Sequence, residues 1–89
     1  MSKKMPRGYA YLVDHLKRAA VSSILNLAEG NGKTSLKDRK RFFEISLGSI
    51  AEVCACLDCL NSFDLLSNSK FLNLKSRFNS IYSMIFKLK

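Results

Sequence analysis

Arg41-Phe42-Phe43-Glu44-Ile45-Ser46-Leu47-Gly48-Ser49-Ile50-Ala51-Glu52-Val53-Cys54-Ala55-Cys56-Leu57-Asp58-Cys59-Leu60 decides the fold. Phe43, Leu47, Ile50, Cys54 and Leu57 recur in steps of three and four, and Phe42, Ile45, Val53, Cys56 and Leu60 form a flanking row. That period is a helix with one wide apolar face. Upstream, Ser35 followed by Asp38 has the form of a helix start, a hydroxyl cap with an acid in the first turn. The helix is therefore expected over residues 36–60, about 37 Å at 1.5 Å per residue. Gly48 stands in its middle, where glycine costs up to about 1 kcal/mol relative to alanine. The expected compensation is close approach by a neighbouring helix.

Working outward, Tyr9, Leu12, Leu16, Ala19, Ala20, Ile24, Leu27 and Ala28 make a second stripe, with Ser23 in a core-spaced slot. Pro6 precedes this segment and Gly30 follows it, where a left-handed residue commonly closes a helix. A helix over residues 8–29 is expected, with Asn31-Gly32 continuing the turn. Downstream, Phe71, Leu74, Phe78, Ile81, Tyr82, Ile85 and Leu88 give a third stripe over residues 68–88. Ser67 is its cap, and Leu66 with Phe71 have the spacing of a hydrophobic staple. No strand-like alternation or internal repeat is present. The expected fold is all-α: a single domain, residues 1–89, built as an antiparallel bundle of three helices with short connections.

The 89 residues are 47% apolar and 25% charged, a globular composition for one small domain. No apolar run approaches the roughly 18–20 residues of a membrane span. The first residues carry charge without the apolar stretch of a secretory signal. The expected setting is the cytoplasm, with no membrane partner. Fifteen Lys and Arg against seven Asp and Glu leave a net charge of +8. Such an excess serves solubility and also favours polyanions. It is uneven: residues 1–30 and 31–45 each carry +3, residues 46–69 carry −3, and residues 70–89 carry +5.

Catalytic chemistry finds little to work with. His15 is the only histidine. Gly30-Asn31-Gly32-Lys33-Thr34 lacks the spacing of a phosphate-binding loop and follows a helix rather than a strand. Cys54 and Cys56 lie about 200° apart on a helix, so the three thiols do not converge. A zinc site also needs four ligands. Glu29, Glu44 and Glu52 read as capping, interhelical or solvated acids. The expectation is a non-enzyme with no cofactor and no metal.

The charge is densest at Lys33, Lys37, Arg39, Lys40 and Arg41. Lys33, Lys37 and Arg41 are four apart and share a face. Lys17 and Arg18 lie on the first helix, and antiparallel packing is expected to bring them onto a common positive surface with the segment. Such a surface binds phosphates in a salt-sensitive, weakly sequence-dependent way. No recognition helix and no aromatic stacking row accompany it.

Arg18-Ala19-Ala20-Val21-Ser22-Ser23, Asn26-Leu27-Ala28-Glu29-Gly30, Arg41-Phe42-Phe43 and Leu47-Gly48-Ser49-Ile50-Ala51-Glu52 together resemble the four-helix-bundle proteins of the 23S rRNA intervening-sequence family. Those proteins share RRAAxSIxxNIAEG, a basic helix start, then RFxxxAxGSLAE. The resemblance covers residues 6–60 by motif and the third helix only in pattern. It implies a helix-packing role for Asn26, Glu29, Gly30, Gly48, Ser49 and Glu52. Leu25 to Lys33, Lys37-Asp38-Arg39 and Cys54-Ala55-Cys56-Leu57-Asp58 are similar to the branch of retroelement accessory proteins, the accessory variability determinants of diversity-generating retroelements. That likeness implies a homopentamer that presents basic surface to nucleic acid and binds a reverse transcriptase. This sequence departs from the family in having only Met1 to Met5 ahead of the segment that starts near Pro6, where members have a further helix. Ile24-Leu25 also stands for Ile-Pro, and Ser46 for Ala.

The functional expectation is a non-enzymatic, self-associating scaffold that binds RNA or DNA through Lys17, Arg18 and the Lys33–Arg41 segment. The alternatives are a protein-interaction module for an acidic partner, such as a reverse transcriptase, and a truncated remnant without function.

Overall fold

The computed structural model describes residues 8–89. Three helices follow in chain order: α1 (Tyr9–Asn31), α2 (Leu36–Ser62) and α3 (Asn68–Leu88). There is no strand among the described residues. The fold is all-α, as the periodicity predicts. The reading of Pro6 as a start signal, and of Met1–Met5 as all that precedes the first helix, lies outside the described residues.

Local chemistry sets most of the helix ends. The Ser35 hydroxyl accepts the Asp38 N–H at 3.4 Å, and the Ser67 hydroxyl accepts the Lys70 N–H at 3.3 Å. Each satisfies one of the donors left free at a helix start. α2 ends two residues later than its stripe predicts. The Leu65 N–H reaches the Leu60 carbonyl at 2.9 Å and the Asp64 N–H reaches the Asn61 carbonyl at 3.1 Å. Asp64, at φ 61°, supplies the left-handed residue this closure needs.

α1 contradicts the expected stop at Gly30. The helix runs on through Asn31, and Gly32 caps it in a right-handed conformation, φ −85°. Gly30 is buried inside the last turn. A β-carbon there would lie 2.6 and 2.7 Å from two ring carbons of Phe43, and 3.2 Å from the Phe42 β-carbon. Its glycine is required by packing rather than by a turn. Gly48 reverses in the other direction. It is exposed, and a β-carbon on it would meet nothing within 4 Å. Among the described residues no neighbouring helix comes within 4 Å of that position.

α2 is the central element, packed antiparallel against α1 on one side and α3 on the other, while α1 and α3 do not touch through their backbones. The α1–α2 seam is narrow and lined by small polar residues. The Ser46 hydroxyl, fully buried, donates to the Ser23 carbonyl at 2.7 Å, and the Ser22 and Ser49 hydroxyls bond at 2.9 Å. Two apolar clusters sit on α2. One joins Phe43, Leu47 and Ile50 to Ile85, and the other joins Val53 and Leu57 to Ala19. Leu66 and Phe71 pack together against the second cluster, where the staple places them.

Several stripe residues are not in the core. Ile24 is 65% exposed and Leu88 58%, and Ala28 also faces outward. The principal extents are 54 × 21 × 16 Å, and the radius of gyration is 15.0 Å. A compact domain of this length has about 12 Å. The three helices form an elongated, open assembly that leaves apolar side chains on its outer faces.

Because position 48 is helical, exposed and uncrowded, Gly48→Ala should stabilise the protein by up to about 1 kcal/mol. Urea denaturation monitored by circular dichroism checks this through a higher midpoint at unchanged slope.

Candidate functional site

The turn between α1 and α2 aims the basic segment. α1 ends one residue past Gly30, which packs on Phe43, while α2 starts seven residues before Phe43, so the connection runs outward to the start of α2. Lys33 then returns above the Phe42 ring, its ammonium 5.2 Å from the centroid. Arg41 lies over the same ring at 4.7 Å, and Arg39 lies over Phe43 at 5.4 Å. Half-buried Phe42 thus holds two cations beside it, an arrangement favoured by the negative face of the ring.

Lys33 is the only one of the five with a carboxylate partner among the described residues, Glu29 at 3.5 Å. Lys37, Arg39, Lys40 and Arg41 have none. Lys37 stands in the first turn of α2, where a cation is disfavoured. The N-terminus of a helix carries about half a positive charge, so each cation in the first turn loses about 0.3–1 kcal/mol at low ionic strength. Asp38 is the only acid in that turn of α2. An acid at position 37 would suit this helix end better.

One further cation, paired with an acid, comes back toward this end. α3 runs antiparallel to α2, so its last turn returns to the first half of α2: the Lys89 ammonium bonds Glu44 at 3.1 Å and lies 5.1 Å from the Phe86 ring centroid. Lys87 is in the same last turn. The +5 on residues 70–89 carried this signal, but only the antiparallel return assigns part of it to the first half of α2.

Lys17 and Arg18 do not join. Arg18 lies thirteen residues before the end of α1, about 20 Å along the axis. The screening length at physiological salt is about 8 Å. Arg18 instead pairs with Asp14 at 2.9 Å, and with Lys17 it borders a shallow groove on the outer side of α1 beside Val21 and Leu25. The expected common surface is therefore two separate regions, because antiparallel packing fixes axial position and sets these residues far from the turn.

The motif residues divide between the seam and its rim. Asn26 donates to the Ser22 carbonyl at 2.8 Å and to its hydroxyl at 3.2 Å, which orients the partner of Ser49. Glu52 meets His15 at 3.2 Å across the two helices. Glu29 holds Lys33, Gly30 admits Phe43, and Gly48 contacts nothing across helices.

The cysteines are free thiols: Cys56 is buried, Cys54 half-buried and Cys59 exposed. Burial, the largest cause in both, pushes the Cys54 and Cys56 thiols above their ordinary value, which disfavours the nucleophilic thiolate. Among the described residues no three His, Cys, Asp or Glu side chains come together as a metal site. None of the described helices is long and apolar enough to cross a membrane.

The family model described as 23S rRNA-intervening sequence protein matches residues 1–87, which includes the third helix almost to its end. No curated protein and no solved structure matches the chain.

Lys37→Glu should separate stability from binding. It places an acid in the second position of α2, so the melting temperature should rise, while affinity for a polyanion such as heparin should fall. Thermal melts at low salt and heparin-column elution of the same samples measure both signs.

Proposed function

The chain belongs to the 23S rRNA-intervening sequence protein family, and from that premise we propose that it is a non-enzymatic scaffold that binds nucleic acid at the basic end of its bundle. One observation carries the reading: Lys37, Arg39, Lys40 and Arg41 stand together in the first two turns of α2 without carboxylate partners among the described residues, and the helix dipole opposes Lys37 in the first turn. Phosphate oxygens would satisfy these cations and the positive end of the helix together. Contacts of this kind position a nucleic-acid backbone without reading its bases.

The scaffold self-associates. Support comes from the large apolar side chains left outward on α1 and α3, including Val21, Ile24 and Leu25 and, on the other helix, Met84 and Leu88. It works in the cytoplasm, where three unpaired thiols persist. The finer placement among retroelement accessory proteins rests on the Leu25–Lys33 and Cys54–Asp58 stretches. On that placement a reverse transcriptase is a second partner.

A salt titration of binding to a labelled RNA hairpin and to a DNA duplex tests the reading. Four phosphate contacts give a slope of log affinity against log salt of about −3.6 on the DNA duplex. Replacing Lys37, Arg39, Lys40 and Arg41 together with Ala should flatten the slope and weaken binding at low salt by at least tenfold. Affinity unchanged by salt, or unchanged by the four substitutions, would overturn the proposed surface. Absence of binding to both nucleic acids at low salt would instead favour an acidic protein as the occupant of the same cations.

A further inference from the structure

We infer that the basic end of the bundle takes unpaired nucleotides in preference to a duplex, with Leu36 and Arg41 contacting bases while the neighbouring cations hold phosphates. The inference rests on the nucleic-acid reading above and names the substrate class within it.

Leu36 is the first residue of α2. It is 81% exposed, more than any other large apolar side chain among the described residues. It stands inside the basic segment. Lys33 lies three residues before it, Lys37 follows it, and Lys40 comes one turn later on the same face. Lys37 and Lys40 are exposed and have no carboxylate partner among the described residues. A leucine does nothing to hold phosphate oxygens, and left in water it exposes apolar surface at a cost. Its gain in a polyanion site comes from an apolar part of the same ligand. In a nucleic acid those parts are the faces of the bases.

Arg41 supplies a second such contact. Its guanidinium lies 4.7 Å from the Phe42 ring centroid, yet the residue is exposed. The ring steadies the group from one side while solvent reaches it from another. Guanidinium planes accept stacked bases as aromatic rings do. On a regular helix the backbones of residues 36 and 41 are about 9 Å apart. One short strand therefore reaches both, with Lys37 and Lys40 beside it for its phosphates.

A duplex offers less to this surface. Its bases lie stacked on one another, and in the grooves only their edges are open, with the thymine methyl as the apolar contact. A membrane surface also joins anionic groups to apolar ones, but a helix held there lies flat with a whole apolar face in the interface. Here a single leucine stands at a helix tip among cations. An unpaired strand offers phosphates and open base faces together, which is the mixture these residues present.

Salt titrations on a short unstructured thymidine oligomer and on a DNA duplex of the same length test this. Phosphate contacts set the slope of log affinity against log salt, and base contacts persist in the affinity extrapolated to molar salt. That extrapolated affinity should be higher for the single strand. Arg41→Lys keeps the charge and removes the plane. Leu36→Ala and Arg41→Lys should each weaken single-strand binding at least about fivefold, leaving the slope and duplex binding unchanged. Circular dichroism confirms that the helices are kept. An extrapolated affinity equal for the two ligands, or single-strand binding that ignores both substitutions, would overturn the inference while leaving the basic surface standing. Binding to phosphatidylglycerol vesicles that needs Leu36, with nucleic-acid binding that does not, would overturn it in favour of a membrane. A chain that binds neither ligand at low salt would overturn the nucleic-acid reading as well.

Discussion

The ring of Phe43 occupies the space that a β-carbon on residue 30 would fill, with ring carbons 2.6 and 2.7 Å from that position. The ring itself has no exposed surface and is enclosed by Leu47, Ile50, Ile85 and the side of Leu27. It has nowhere to retreat. The contact therefore sets how closely the last turn of α1 approaches the start of α2, and closeness there propagates along the seam. Ser23, Ser46, Ser22 and Ser49 continue the same narrow spacing, with each buried hydroxyl bonded to the facing helix or to its own backbone. Larger side chains in these places would part the helices, and apolar ones would leave the Ser23 carbonyl without its Ser46 donor.

The position of the basic end follows from this packing. α1 ends one residue past Gly30 and α2 starts seven residues before Phe43, so the connection to α2 lies beyond the body of the bundle. The first turns of α2 then project past the end of α1. Arg39 and Arg41 there lie over the Phe43 and Phe42 rings, and Lys37 in the first turn is opposed by the dipole of its own helix. The same geometry separates Arg18 from this end and leaves it on the outer face of α1, where its surroundings fit a protein surface better than a phosphate.

The legible parts of the sequence were those governed by neighbours in the chain. Ser35 and Ser67 cap where they are expected to because capping involves residues three apart. α3 has the predicted bounds for the same reason. Gly30 was misleading because glycine at a helix end usually signals a left-handed stop, and only a residue thirteen positions later shows that this one admits a ring. Gly48 misled in reverse. Its place on an apolar helix implies crowding, yet it turns to the side of α2 that neither α1 nor α3 covers. Ile24, Ala28 and Leu88 fit the helical period, but a period does not say which side of a helix has a neighbour. For the site, the density of charge at Lys33–Arg41 was plain. The separation of Lys17 and Arg18 from it, and the return of Lys89 to Glu44, depend on axial register that only the packed helices supply.

The most direct test of the account is a double-mutant cycle between positions 30 and 43, read by urea denaturation. In the wild-type background Gly30→Ala should destabilise by about 1–3 kcal/mol, the usual range for overpacking a filled core, despite the better helix propensity of alanine. In a Phe43→Leu background the ring is gone, and the same substitution should become neutral or stabilising by up to about 1 kcal/mol. An equal cost in both backgrounds, or a gain in the wild type, would contradict the claim that the Gly30–Phe43 contact sets the approach of α1 to α2.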